Sequence, residues 1–367
     1  MIKLPHFGAI SILILITQYG SVNAQSSKAV PWTPAEAEHG TSLFVLSNSE
    51  GTRVTIAEYG ALLVSVETAD RDGKLDNITL SYQSGEEARA GGVFGSVIGR
   101  FANRIDGGGF TIDETFYPLE TVNEKTGVHI HGGKTGFHRQ NWNGLHGVDE
   151  NGAFARLELT SEDGHEGYPG NVRVTVTYRL KEDNTLSITY EGRTDAPTHL
   201  NLTNHAYFNL AGKGDILEHR LQLESEKYIE IDDRNIPTGK RLPVKNTPFD
   251  FTSEKPVGED IETIAGGGYD HCFVISEDNP DGEVIPFATL TDPASGRTME
   301  IATTKPGVQI FTANHFKGNP FPKWGGICFE TQFYPDTPNK PDFPSSLLRP
   351  GEAYHHTTEF RFGVMEQ

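Results

Sequence analysis

The chain has 367 residues and a formal net charge of −19, from 50 acidic against 31 basic side chains. So acidic a surface argues against nucleic acid and anionic membrane as partners, whereas a neutral small molecule is indifferent to it. Forty glycines, 21 prolines and 36% hydrophobic residues describe a turn-rich β protein with ample length for a large core.

Residues 1–24 read as a secretory signal. Lys3 supplies the positive start, Gly8 to Ile16 an apolar run too short to span a membrane, and Val22-Asn23-Ala24 the small residues a signal peptidase reads. A buried N-terminal strand is the alternative. Cleavage after Ala24 leaves 343 residues (367 less 24), takes the charge to −20 because Lys3 is lost, and implies a secreted protein, periplasmic in a Gram-negative cell. No later run is apolar enough to cross a bilayer, so no membrane partner is expected after cleavage. Residues 25–42 are polar and proline-bearing, and read as a loose leader into one domain over 43–367.

From there alternation with period two dominates. Val54–Ile56, Leu62–Val66, Ile78–Leu80, Leu157–Leu159, Leu186–Tyr190, Leu221–Leu223 and Phe360–Phe362 all carry it. The clearest case is Val172 to Leu180, where Val, Tyr and Leu interleave with Arg and Thr, placing one face on a core and the other in water. Turn clusters such as Asp106–Gly109, Glu182–Asn184 and Asp292–Gly296 separate the strands. Only Ser84–Ala90 suggests a helix, of one or two turns. The fold class is mostly β, a large antiparallel β-sandwich of a single domain.

Several segments are polar where a strand core is expected to be apolar: GRFANRI at 99–105, VHIHGGKTG at 128–136, HLNLTNHAYFNL at 199–210, GYDHCFV at 268–274, KPGVQIFTAN at 305–314 and GICFETQFYPDT at 326–337. Each has a bland reading. His205 beside Tyr207 and Phe208 suits a hydrogen-bonded core histidine, Glu330 the solvated member of an alternating strand, and Asn103-Arg104 a structural ion-pair turn. His129 and His131 make two candidate metal ligands without an evident third, so no metal is expected. There is no GxGxxG after a strand and no Walker sequence.

Taken together, ANRI, HGG, EGYPG at 166–170, NLTNHAYFNL, YDH, TTKPGVQ, ETQ…PD…N and LRPGE at 348–352 resemble the aldose 1-epimerase (galactose mutarotase) family, in family order from about residue 40 to the C-terminus. The resemblance implies a galactose-mutarotase-like supersandwich that interconverts the α and β anomers of free hexoses such as galactose and glucose. It is expected to need no cofactor, and to act as a monomer or homodimer on a small sugar. It further implies Glu330 as general base, His205 as general acid, His131 as a second histidine near the ring oxygen, and Asn103, Arg104, Asp270 and Gln309 as sugar contacts. The sequence departs from the family at Cys272, where Asn is common, at Phe311, where an aromatic hydroxyl is common, and at Ile130, which replaces Leu. Alternatives from other classes are a glycoside hydrolase using Asp270 and Glu330, and a secreted, non-catalytic sugar-binding β-sandwich.

Cys272 lies two residues after Asp270 and Cys328 two before Glu330. On strands this parity turns each thiol to the face of its neighbouring carboxylate, so a bridge and two separate buried thiols are both open. Asn77-Ile78-Thr79 and Asn201-Leu202-Thr203 match glycosylation acceptors, the second reading better as a buried asparagine.

Overall fold

The computed structural model describes residues 25–31, 42–120, 123–279, 282–318 and 320–365. Residues 1–24, read from the sequence as a secretory signal, and 32–41, most of the expected leader, lie outside the described residues. Three antiparallel sheets make up the body. The largest has nine strands, in the spatial order Asn143–Asp149, Gly152–Ser161, Val172–Leu180, Thr185–Thr194, Tyr354–Val364, Arg297–Thr303, Ile285–Thr291, Arg220–Leu223 and Lys255–Pro256. A six-stranded sheet runs Tyr207–Phe208, Ile327–Gln332, Gly307–Phe311, Asp270–Val274, Lys227–Ile231, Pro237–Pro243. The third has five strands in sequence order, from Ser26–Pro31 to Leu75–Asn77.

The alternating strands form where the pattern places them. In Val172–Leu180 every apolar residue is buried and the polar ones between are half-buried or exposed. One hydrophobic cluster takes Leu46, Val54 and Ile56 from the five-stranded sheet, Val174, Val176, Ile188 and Phe360 from the nine-stranded sheet, and Val308, Ile310 and Phe329 from the six-stranded one. At about 25 cal/mol per Å² of apolar area, burial of this shared core is the main favourable term. Gly85–Ala90 is a short α-helix, capped where the Ser84 side chain accepts the Glu87 amide at 3.2 Å. Among the described residues no helix is long and apolar enough to cross a membrane.

Two expectations change. Ser26–Pro31 is not a loose leader but an edge strand, paired antiparallel with Ser42–Ser47. Its residues do not alternate apolar with polar, so a strand held by backbone pairing left no periodic mark. Ile78–Leu80 is not a ladder strand, and only Thr79 bridges, to Phe208. The Asn77 side chain accepts the amides of Val66 and Thr79, competing with regular pairing.

Candidate active site

The six-stranded sheet has one face on the core and one on the site. Across three neighbouring strands, Asp270 pairs with Phe311 and Phe311 with Cys328, while Cys272 pairs with Gln309 and Gln309 with Glu330. All six side chains therefore share one face, opposite Ile310 and Phe329 in the core. Ile327–Gln332 is buried throughout, so Glu330 is 2% exposed and not a solvated strand residue.

The register also decides the cysteines. Both are free and buried, Cys328 in a cluster with Tyr207 and Leu80, Cys272 in another with Ile229 and Tyr334. The expected parity holds, but the thiols stand two strands apart and two residues along, about 12 Å between Cα atoms at ordinary sheet spacings. A bridge needs about 7 Å or less.

The remaining site residues come from short, irregular segments brought to this face. His205 lies between the two-residue strands Thr203–Asn204 and Tyr207–Phe208. Its amide donates to the Ser96 carbonyl at 3.0 Å and its carbonyl accepts from Gly95 at 2.9 Å, which locks the backbone. Arg104–Ile105 pairs with His129–Ile130, and just past that ladder Asn103 and His131 hold each other. The His131 amide donates to the Asn103 carbonyl at 3.0 Å, and the Asn103 amide donates to His131 Nδ1 at 3.2 Å. Both residues are left-handed, at φ 68° and 54°, a conformation that costs energy and clusters at functional sites. HGG is required sterically: a Cβ at Gly132 would come within 1.9 Å of the Gly99 carbonyl oxygen, and one at Gly133 within 2.1 Å of Glu166 Oε2.

The catalytic candidates meet. His205 Nε2 is 3.5 Å from Glu330 Oε1, and the His131 and His205 rings are 5.3 Å apart. Burial pushes Glu330 up to about 8, with Asp270 adding to the rise and Arg104 opposing it. Burial likewise takes His205 down to about 4, against the upward pull of its own backbone carbonyl and Asp270. Between those limits the pair holds one proton. Burial and the neighbouring His205 hold His131 well below the usual imidazole value.

The sugar contacts implied by the resemblance form one network. Arg104 Nη2 donates to Asp270 Oδ2 at 3.1 Å, and Arg104 Nη1 to Asn103 Oδ1 at 3.2 Å. Gln309 Nε2 donates to Asp270 Oδ1 at 2.6 Å. Glu330 Oε2 and Gln309 Oε1 are buried without a hydrogen-bond partner, two acceptors left open. Asp270 is occupied by these donors while Glu330 Oε2 is not, so the two carboxyls are not equivalent, which disfavours a carboxylate pair of the glycosidase kind.

His131, His205 and Glu330 also bring ligand atoms within 4.8 Å of one another, a spacing a metal could use. The Asn103 amide, however, occupies the Nδ1 lone pair of His131, so the neutral ring carries its proton on Nε2. Metal-bound histidines do the reverse, donating from the second nitrogen. His131 is preset to donate to an oxygen. His129, the other candidate ligand, is buried with its ring 5.6 Å from that of Tyr168.

Several residues that hold the site had no role in the sequence reading: Asp336, Glu166 and Arg100 lay in quoted segments, and Asn235 in none. Asn235 Nδ2 donates to Asp270 at 3.3 Å. The Asp336 amide donates to the Arg104 carbonyl at 2.7 Å, while its carboxylate accepts from the Asp106 amide and Asn339. The buried Glu166 carboxylate accepts the Thr135 amide and hydroxyl, each at 2.6 Å, beneath the loop that carries His131. Buried Arg100 donates to the carbonyls of Ser161, Glu162 and Pro169, joining GRFANRI to the EGYPG turn. The PD…N and EGYPG motifs were the available signals.

An imidazole and a carboxylate sharing one proton, ringed by hydrogen-bonding side chains on a β-sandwich, are the arrangement of an acid–base enzyme. A profile of the aldose 1-epimerase family matches residues 42–361. The chain is 39% identical over 327 residues to the galactose mutarotase of Rattus norvegicus, covering 86% of this chain and 92% of that one. It is 35% identical over 349 residues to the aldose 1-epimerase of Escherichia coli, covering 90% and 98%. Its fold is similar to the galactose 1-epimerase of Lactobacillus acidophilus, with a TM-score of 0.81, 26% identity, and coverage of 94% and 100%. The aldose epimerase homologue from C. elegans also gives a TM-score of 0.81, at 27% identity and coverage of 89% and 100%. The chain belongs to the aldose 1-epimerase family, and its activity is that of an isomerase, a mutarotase.

Proposed function

We propose that the pocket interconverts the α and β anomers of free hexoses, galactose and glucose among them, with Glu330 as base and His205 as acid. Before sugar binds, burial keeps the shared proton on Glu330. Sugar hydroxyls donating to the open Glu330 Oε2 favour its charged form, so the proton passes to His205 Nε2. Glu330 then takes the O1 proton while His205 protonates the ring oxygen, and the C1–O5 bond opens to the aldehyde. Rotation about C1–C2 and the reverse transfers close the other anomer. His131 donates near the ring oxygen, and Asn103, Arg104, Asp270 and Gln309 hold the hydroxyls, so that the open form is retained.

What carries this reading is the His205–Glu330 pair at 3.5 Å, with both groups buried. Polarimetry of fresh α-galactose and α-glucose tests it. Wild type is expected to speed relaxation with no additive and Glu330→Gln to abolish the acceleration, whereas a fully active Glu330→Gln overturns the assignment. We also propose export through the signal at 1–24, to the periplasm in a Gram-negative cell. Cleavage after Ala24 would leave the Ser26–Pro31 strand whole.

A further inference from the structure

We infer that Cys328 is a positioning residue for the reaction: its sulfur accepts the Nδ1 proton of His205, holding the ring in the tautomer whose Nε2 lone pair receives and returns the travelling proton. The inference rests on the reading of His205 as the acid.

Cys328 Sγ lies 3.5 Å from His205 Nδ1, on the side of the ring away from Glu330. That distance suits a hydrogen bond to sulfur, which is longer than one to oxygen. The contact is built into the sheet. Cys328 is the cross-strand partner of Tyr207, and the Tyr207 ring stacks on His205 at 5.1 Å and 29°. Cys328 packs with Tyr207 and Leu80 in one buried cluster, so the thiol has fixed neighbours. Cys328 is 0% exposed, so its sulfur is out of contact with bulk water. The other titratable groups acting on the ring are Glu330 and His131 beside it and Asp270 and His138 farther off.

The choice of a thiol has a chemical reason. A carboxylate at Nδ1 stabilises the imidazolium, as in hydrolases whose histidine must be a base. A sugar ring oxygen is a poor base and needs a strong acid. An uncharged, weakly accepting sulfur fixes the tautomer and leaves the imidazolium acidic. With Nδ1 protonated throughout, the neutral ring has its lone pair on Nε2, facing Glu330. Were Nε2 the protonated nitrogen of the neutral ring, it could not take up the shared proton.

Nitrogen-15 spectra of histidine-labelled protein read the tautomer directly, with His205→Asn identifying the signal. Wild type near pH 7 is expected to show the Nδ1–H form. Cys328→Val, similar in size but lacking a lone pair, is expected to populate the Nε2–H form and lower kcat about tenfold or more, with KM within about twofold, a modest share of what acid–base catalysis supplies. Cys328→Ser restores an acceptor and is expected to recover most of the rate. A wild-type ring in the Nε2–H form overturns the inference, as does Cys328→Val with unchanged nitrogen shifts and kcat. If Cys328→Val does not fold, the wild-type and Cys328→Ser spectra decide. Loss of activity in His205→Asn is required by the acid assignment; if that variant stays active, that assignment fails, whatever the tautomer.

Discussion

At the scale of single residues, burial has moved two groups in opposite directions, Glu330 up to about 8 and His205 down to about 4. One proton therefore stays on the pair across neutral pH, and kcat/KM measured from pH 5 to 9.5 is expected to be flat, then to fall above about pH 8. The same shift costs stability. Because the folded carboxyl holds its proton to about 8 and the unfolded one only to 4.5, its contribution is intact below 4.5 and lost as pH rises through 8. Glu330→Gln is therefore expected to melt above wild type at pH 8 and to show no such gain at pH 4.5, in paired thermal scans. Arg104 and Asp270 form an ion pair at 3.1 Å, each about one-fifth exposed. Removing either breaks the same grip, so Arg104→Ala and Asp270→Ala are each expected to raise KM about tenfold, and the double variant by much less than the product. These residues were legible only through the motifs taken together, since alone each fitted a structural role. The Cys328 contact was not, because it depends on the register between strands distant in sequence.

At the scale of elements, the site is assembled from pieces too short to leave a period. Arg104–Ile105, His129–Ile130 and Thr203–Asn204 are two-residue strands, below the length at which alternation shows. Ile327–Gln332 is buried on both faces, which hid the distinction between its core side and its site side. The glycine turns were legible as turns, but not that HGG packs against Gly99 and Glu166. Asp336 shows how such pieces are held. It is 0% exposed and anchors the Arg104 carbonyl, the Asp106 amide and Lys340 at once. Asp336→Ala leaves the Asp106 amide, Asn339 and Lys340 without their shared acceptor, so a loss on the order of 3 kcal/mol is expected in denaturant titrations. KM in the folded fraction is expected to stay near wild type, because the Asp336 amide that braces the Arg104 carbonyl survives the substitution.

At the scale of the whole molecule, the alternating strands gave the sandwich class directly, while the division into sheets of nine, six and five strands depends on pairings no local pattern encodes. Two further outcomes concern the entire chain. Protein recovered from the exporting cell is expected to begin at Gln25 by N-terminal mass analysis, and a cytoplasmic product retaining Met1 overturns the export proposal. Denatured without reductant, it is expected to take up alkylating reagent at both Cys272 and Cys328. The order of strands in the large sheet also governs how the chain reaches this state. Tyr354–Val364, the last of the described strands, lies in the middle of that sheet between Thr185–Thr194 and Arg297–Thr303. Everything made before it leaves two open edges with a gap between them, so a nascent chain cannot finish the sheet until this strand has been made. Refolding is therefore expected to be slow, on the order of seconds rather than milliseconds, and a chain ending at Ala353 is expected to aggregate instead of forming a smaller active enzyme.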